Sequence, residues 1–382
     1  MTLAARLVDI HSHVYLPRYA ALLRARTTVP RILTSSRDGK PDDRLLILDR
    51  DTGRPVGPQY WDRDEKIKFM DRHGIDLTVV SSANPWLDFL PASEAQTLAS
   101  QLNEDLEQYC ADSPSLSPSL KRIYGFGMLP LVPEISIAAL LEAIDQISKL
   151  SYLKGIIMGT RGIGKGLDDE ALDPVWAALE KTGLVVFLHP HYGVNSEEWG
   201  EKNNGHVLPL ALGFPFETTI ATTRLILAGV FDRFPSLRLL LAHSGGALPQ
   251  LSSRLASCID HDPVVASRLE HDARWYLGKL YYDAIAYGPE ELGFVSDVIA
   301  RSQRYEPGSS IPTNAPVDRA LGSKRMLFGT DHPFFPPLQS TEKWQSVVDN
   351  LQAIDAVSGW GQAEKDNVHG GNALSLFNLI QL

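Results

Sequence analysis

Eight short apolar runs recur along this chain, and longer segments with apolar residues at three- and four-residue steps lie between them. The runs are LVDIHSH near the start, LTVVSSANPW from Leu77, RIYGFGMLPL from Arg122, KGIIMGTRG from Lys154, LVVFLHPHY from Leu184, RLLLAHSGG from Arg238, LYYDAIAY from Leu280 and RMLFGTDHPF from Arg325. Helical spacing is readable over 62–73, 93–111, 133–150, 174–181 and 218–231. Such alternation predicts βα units around a parallel sheet, and near-continuous apolar strands predict a sheet covered on both faces. A doubly wound open sheet would give the same periodicity. Two features favour closure instead. Eight strands close a barrel, and His, Asn, Ser or Asp stands at the carboxyl end of most runs, where barrel active sites form. The expected fold is therefore α/β, a (β/α)8 TIM barrel.

A chain of 382 residues, 44% of them hydrophobic, buries a large core without disulfide staples. A single domain over 1–382 is expected, with no linker or internal repeat dividing it. The segment 27–60, rich in Pro, Gly, Asp and Arg, reads as an insertion after the first strand. Residues 192–216 read as a second insertion, after the fifth strand, and both would cover the barrel mouth. A net charge of −10 argues against a nucleic acid or an anionic membrane as partner. It leaves a small anionic substrate open, because a metal and one arginine can dominate the field of a pocket. Cys110 and Cys258 form no framework, which fits a reduced, cytoplasmic protein. Asp9 and His11 interrupt the N-terminus before a signal-peptide core develops, and no apolar stretch approaches the roughly 20 residues of a membrane span.

The chemistry-bearing residues cluster at the strand ends. His11 and His13 are two apart on a strand, so both imidazoles face the same side and can reach one ion; hydrogen-bonded structural histidines are the plain alternative. His189 and His191 share that spacing around Pro190, and either suits a ligand, the other being a supporting or lid residue. His243 precedes Ser244-Gly245-Gly246, where glycines allow close approach to the backbone. Asp331 ends its run and completes a site or caps the next helix. Taken together, His, His, His and Asp delivered by separate strand ends form a nitrogen–oxygen donor set suited to Zn2+, with Mn2+ the other candidate. Lys154 starts its run rather than ending it and is read as a solvated strand-entry lysine. RGIGKG from Arg161 matches neither nucleotide-binding pattern and reads as a flexible loop.

The motifs DIHSH, WDRDEKIKFMDRHGI, KGIIMGT, FLHPHYG, LAHSGG, FGTDHPF and GNALSLF resemble the amidohydrolase superfamily and, within it, the aminocarboxymuconate-semialdehyde decarboxylase branch. GRPV around Arg54, ANPW around Asn84, GHVLPLALGFP and GTDHPFFPP are similar more narrowly to fungal isoorotate decarboxylases, which convert 5-carboxyuracil to uracil and carbon dioxide. The resemblance implies that His11, His13, His189 and Asp331 hold zinc. It implies catalytic roles for Asp331 and His243, and substrate contacts from Arg54, Asn84, His189, Phe214 and Phe334. It also implies a homodimer acting on a small ring carboxylate in pyrimidine salvage. Decarboxylation of a hydroxybenzoate, or zinc-assisted hydrolysis of an amide or lactone, are the rival activities.

Overall fold

The computed structural model describes residues 6–37, 40–47, 53–194, 199, 202, 204–337 and 343–379. All eight runs are strands: β1 Val8–Val14, β2 Leu77–Ser82, β3 Ile123–Met128, β4 Leu153–Met158, β5 Val185–Leu188, β6 Leu239–Leu241, β7 Tyr281–Asp283 and β8 Met326–Leu327. Each pairs in parallel with its neighbour in chain order. The sheet returns on itself through Ile10 N–H to Phe328 O at 3.0 Å and His13 N–H to His332 O at 2.7 Å. This is the expected barrel, with an apolar core running from Val8 to Leu379.

Local chemistry starts and stops the helices. Asp62 caps Arg63–His73 by accepting from Asp64 N–H, and left-handed Gly74 ends it. Its buried stripe is Lys66, Phe69, Met70 and His73, so a lysine occupies a core position. Four longer helices escaped the sequence reading: Pro17–Ala25, Leu248–Asp260, Pro289–Arg301 and Gln345–Ala356. In the first three a proline stands at the first or second helical position. There it costs no hydrogen bond and favours initiation, although in sequence it looks like a breaker.

The first insertion has structure of its own, an antiparallel sheet of Arg31–Arg37, Lys40–Leu46 and Arg54–Val56 in which Leu45 lies opposite Arg54. Residues 38–39 and 48–52 fall outside the described residues. So do 195–198, 200–201 and 203 of the second insertion; its end, Pro209–Gly213, winds as a π-helical turn into helix Phe214–Leu227.

Candidate metal centre and substrate pocket

Alternation along β1 sends His11 and His13 into the barrel, where both are fully buried. Their Nε2 atoms are 3.1 Å apart, and Asp331 Oδ1, arriving from beyond β8, lies 3.4 Å from the first and 3.3 Å from the second. Asp331 holds a left-handed φ of 57°, with its N–H bonded to His11 O at 2.8 Å. His189 follows β5 and donates from Nδ1 to Pro190 O at 2.8 Å. A carbonyl only accepts, so the proton sits on Nδ1 and Nε2 is a lone pair, buried without a partner. Asp283 Oδ2 fixes His11 in the same way through Nδ1 at 2.7 Å, and His13 Nδ1 pairs with Ser81 Oγ at 3.0 Å. Lone pairs and a carboxylate thus converge where no protein donor separates them. That arrangement fits a divalent cation.

The electrostatics favour neutral rings at two of the three histidines and a charged one at the third. Burial lowers the His13 pKa to about 4 and, aided by the neighbouring imidazoles, holds His189 well below the ordinary value, which keeps both rings neutral as ligands must be. Burial also works against charge on His11, but the carboxylates of Asp283 and Asp331 override it and raise its pKa to about 10. Burial pushes Asp331 up, yet contact with His11, His13 and His243 outweighs this and pulls it well below the usual carboxylate range.

Within the described residues, ligand atoms of His11, His189, His243 and Asp331 all lie within 4.8 Å of one another. His13 joins this group through the contacts above. His243 Nε2 is 3.9 Å from Asp331 Oδ2, and its Nδ1 is buried without a partner. The structure therefore brings all five residues together. A cavity of about 470 Å³ is lined by His189, His243 and Asp331 of this group, and Arg54, Asn84, Phe214 and Phe334 lie on its wall. The Arg54 guanidinium stands 4.6 Å over the Phe334 ring with Nη2 buried and unpartnered. Asn84 spends one amide N–H on His191 O, which sets the orientation of the rest of its amide. Phe214 faces His189 at 6.3 Å and His243 at 6.4 Å between ring centres.

Of the two histidines around Pro190, His189 lies in the cluster, whereas His191 Nε2 is 3.0 Å from Asp88 Oδ2 and 3.2 Å from Pro85 O. Lys154 is the second residue of β4, near the opposite end of the barrel, and faces the Tyr124 ring at 5.5 Å. In the RGIGKG loop Gly162, Gly164 and Gly166 all take positive φ, and the loop borders a separate cavity of about 520 Å³.

Three supporting residues were missed. Lys66 Nζ, entirely buried, reaches Ser12 Oγ at 2.8 Å, His13 O at 3.1 Å and His332 Nδ1 at 2.6 Å, joining the two chain segments that carry His13 and Asp331. A charge inside an apolar helical stripe was its signal. The Glu217 carboxylate accepts from the N–H groups of His191 and Tyr192 at 2.9 and 3.1 Å and from that of Gly193, clamping the loop after His189. Nothing local in sequence announces it. Asp283 ends β7 as the other site residues end their strands, and that pattern would have found it.

A sequence profile of the amidohydrolase family matches residues 8–379. IDCase of Metarhizium anisopliae, crystallised in apo form, is 39% identical, covers 98% of each chain and superposes with a TM-score of 0.85. The 2-amino-3-carboxymuconate-6-semialdehyde decarboxylase of Dictyostelium discoideum is 28% identical over 337 residues, 87% of this chain and 81% of its own. A 5-carboxyvanillate decarboxylase of Novosphingobium aromaticivorans, complexed with manganese and a nitrobenzoic acid, shares the fold at 20% identity and a TM-score of 0.71, over 98% of this chain and 96% of that one.

Proposed function

The chain belongs to the amidohydrolase family, and from that premise we propose that it decarboxylates 5-carboxyuracil to uracil and carbon dioxide. At the coarser level it is a carboxy-lyase, its relatives being named decarboxylases. One observation carries the reading: across a single cavity, a cluster of imidazoles and carboxylate, with His189 Nε2 buried and unpartnered, faces an arginine whose Nη2 has no partner. A small ring carboxylate would satisfy both ends.

In this reading His11, His13, His189 and Asp331 hold zinc, manganese being the alternative. When bound, the ion supplies Lewis acidity at a substrate oxygen. Breaking the bond to the carboxylate directly would leave its electrons in an sp² orbital of the ring, outside conjugation. Asp331, ionised in the free site, avoids this by taking up a proton as substrate binds and passing it to C5, which becomes tetrahedral and aligns the departing carboxylate with the ring π system. The bonding electrons return to the ring, carbon dioxide leaves, and the proton remains on carbon. One proton is consumed per turnover, and His243, beside Asp331, handles its replacement. Arg54 grips a carboxylate or carbonyl, Asn84 meets the pyrimidine edge, and Phe214 and Phe334 confine the ring.

The polar Asn84 edge and the likeness to IDCase support a pyrimidine over a benzoate. The proposal extends to a single barrel domain over 1–382 with its insertion at 27–60, a homodimer, and a cytoplasmic place in pyrimidine salvage. No described helix is long and apolar enough to cross a membrane.

The test is release of uracil and carbon dioxide from 5-carboxyuracil by zinc-loaded protein, chelated protein and Asp331→Asn. Release that needs both zinc and Asp331 supports the proposal. A hydroxybenzoate consumed in place of 5-carboxyuracil keeps the decarboxylase and replaces the substrate. With neither consumed, amide or lactone hydrolysis takes precedence.

A further inference from the structure

Asp283 is a carboxylate with no exposure to solvent, yet it is surrounded by donors. Oδ2 accepts from His11 Nδ1 at 2.7 Å and from the His243 N–H at 2.8 Å; Oδ1 accepts from the N–H groups of Ser244 at 2.7 Å and Ile285 at 3.1 Å. The same oxygen therefore touches the ring of one site histidine and the backbone of another. The backbone it holds is unusual. His243 and Ser244 both have φ of 53°, and Gly245 and Gly246 follow at 80° and 64°. Side chains disfavour that region, so the two non-glycine residues need something to hold them there. The left-handed turn sends consecutive N–H groups to one side, where an anion can collect them. Ser244 Oγ closes the arrangement by donating to Asp283 O at 2.9 Å.

We infer that Asp283 is a positioning residue that sets two site histidines at once, holding His11 with Nε2 free for the metal and holding the 243–246 turn so that His243 stands beside Asp331. The inference rests on the metal-centre reading above. Asp283 touches no reacting atom; it acts through the two histidines. Replacement by asparagine isolates this role, because size is unchanged while one acceptor oxygen becomes a donor. With its amide N–H2 toward His11, it meets the His243 N–H, which cannot turn away, and drives His11 to the tautomer whose proton blocks Nε2. With the amide reversed, the N–H2 meets the N–H groups of Ser244 and Ile285. That reversed orientation keeps both histidine donors paired but sets two N–H groups against a donor instead of one and releases the turn that carries His243, so neither orientation serves all four donors.

Zinc affinity, measured by competition with a chromophoric chelator in the absence of substrate, should fall about 10- to 100-fold in Asp283→Asn. The kcat for decarboxylation should fall even at saturating zinc, with KM little changed, because His243 is displaced. Ser244→Ala, which spares the carboxylate, should keep zinc affinity within about twofold of native. Native-like affinity and kcat in a folded Asp283→Asn would overturn the inference and leave the decarboxylase reading standing. Failure of the native protein to bind zinc would overturn both. If the variant does not fold, native zinc-loaded protein labelled with 15N-histidine gives the answer: a protonated, slowly exchanging Nδ1 on His11 supports the inference, and an unprotonated Nδ1 overturns it.

Discussion

The two ends of the barrel treat polar groups in opposite ways. At the amino-terminal end, arginines just before three strands are spent on the backbone. Arg122 gives Nε and Nη2 to the carbonyls of Asp76 and Ile75 at 3.2 and 2.7 Å and Nη1 to Asp71. Arg325 reaches Lys279 O at 3.0 Å, and Arg238 lies 3.4 and 3.5 Å from the carbonyls of Gly183 and Leu376. At the carboxyl end His189 Nε2, His243 Nδ1 and Arg54 Nη2 are buried with no partner. An unsatisfied buried group costs about 1–3 kcal/mol; the Thr78 hydroxyl at the start of β2 is also unpaired, but the three nitrogens at the carboxyl end gather on or beside one cavity, which marks a different use. One end holds the fold, and the other keeps its valences for a ligand.

Asp331→Asn should give the largest break between the ends, lowering kcat/KM about 10²- to 10⁴-fold, the range for a lost acid–base group, while circular dichroism stays native. Loss of fold instead would make Asp331 a structural group like the arginines opposite. The next effect is pH-dependent. With His11 raised to about 10 in the metal-free protein, zinc must displace its proton at any lower pH. Apparent affinity should therefore rise with pH, about tenfold per unit between roughly pH 7 and 9 for one proton released. Chelator competition at several pH values would show it, and a flat profile would mean that His11 is already neutral. Arg54→Met comes third. Losing a charge-assisted hydrogen bond of about 1.5–3 kcal/mol should reduce kcat/KM roughly 10- to 100-fold, mainly through KM. A change confined to kcat would move Arg54 from binding to chemistry.

The same contrast explains what was legible in sequence. Each barrel strand announces itself by an apolar run, and His11, His13, His189, His243 and Asp331 stand where those runs end, so position along the chain also gave position in space. Asn84, Phe214 and Phe334 were found only through motif likeness, since an amide or a ring on a loop carries no periodic signal. Arg54 came from the same source, and the antiparallel sheet that delivers it was not foreseen. That sheet alternates weakly and is broken by prolines and charges, as in Lys40–Leu46. Glu217 was out of reach because it acts through three backbone N–H groups more than twenty residues away.

The smallest effect on activity is expected at the satisfied end, from Arg122→Met. The ion pair with Asp71 contributes little, because the Asp71 side chain is 61% exposed and water screens it. The two carbonyls are different: they lie on the turn leading into β2 and are part-buried, so losing their donor leaves acceptors poorly satisfied. A loss of about 1–3 kcal/mol follows, read as a fall of several degrees in melting temperature. The loss should appear equally in chelated and zinc-loaded protein, with kcat/KM within about twofold of native, because β2 meets the metal centre only at its far end, where Ser81 pairs with His13. A larger loss of activity than of stability would mean that strain at the start of β2 reaches Ser81 and turns the His13 ring. The two ends would then be one mechanical unit, and the division of labour between them would fail.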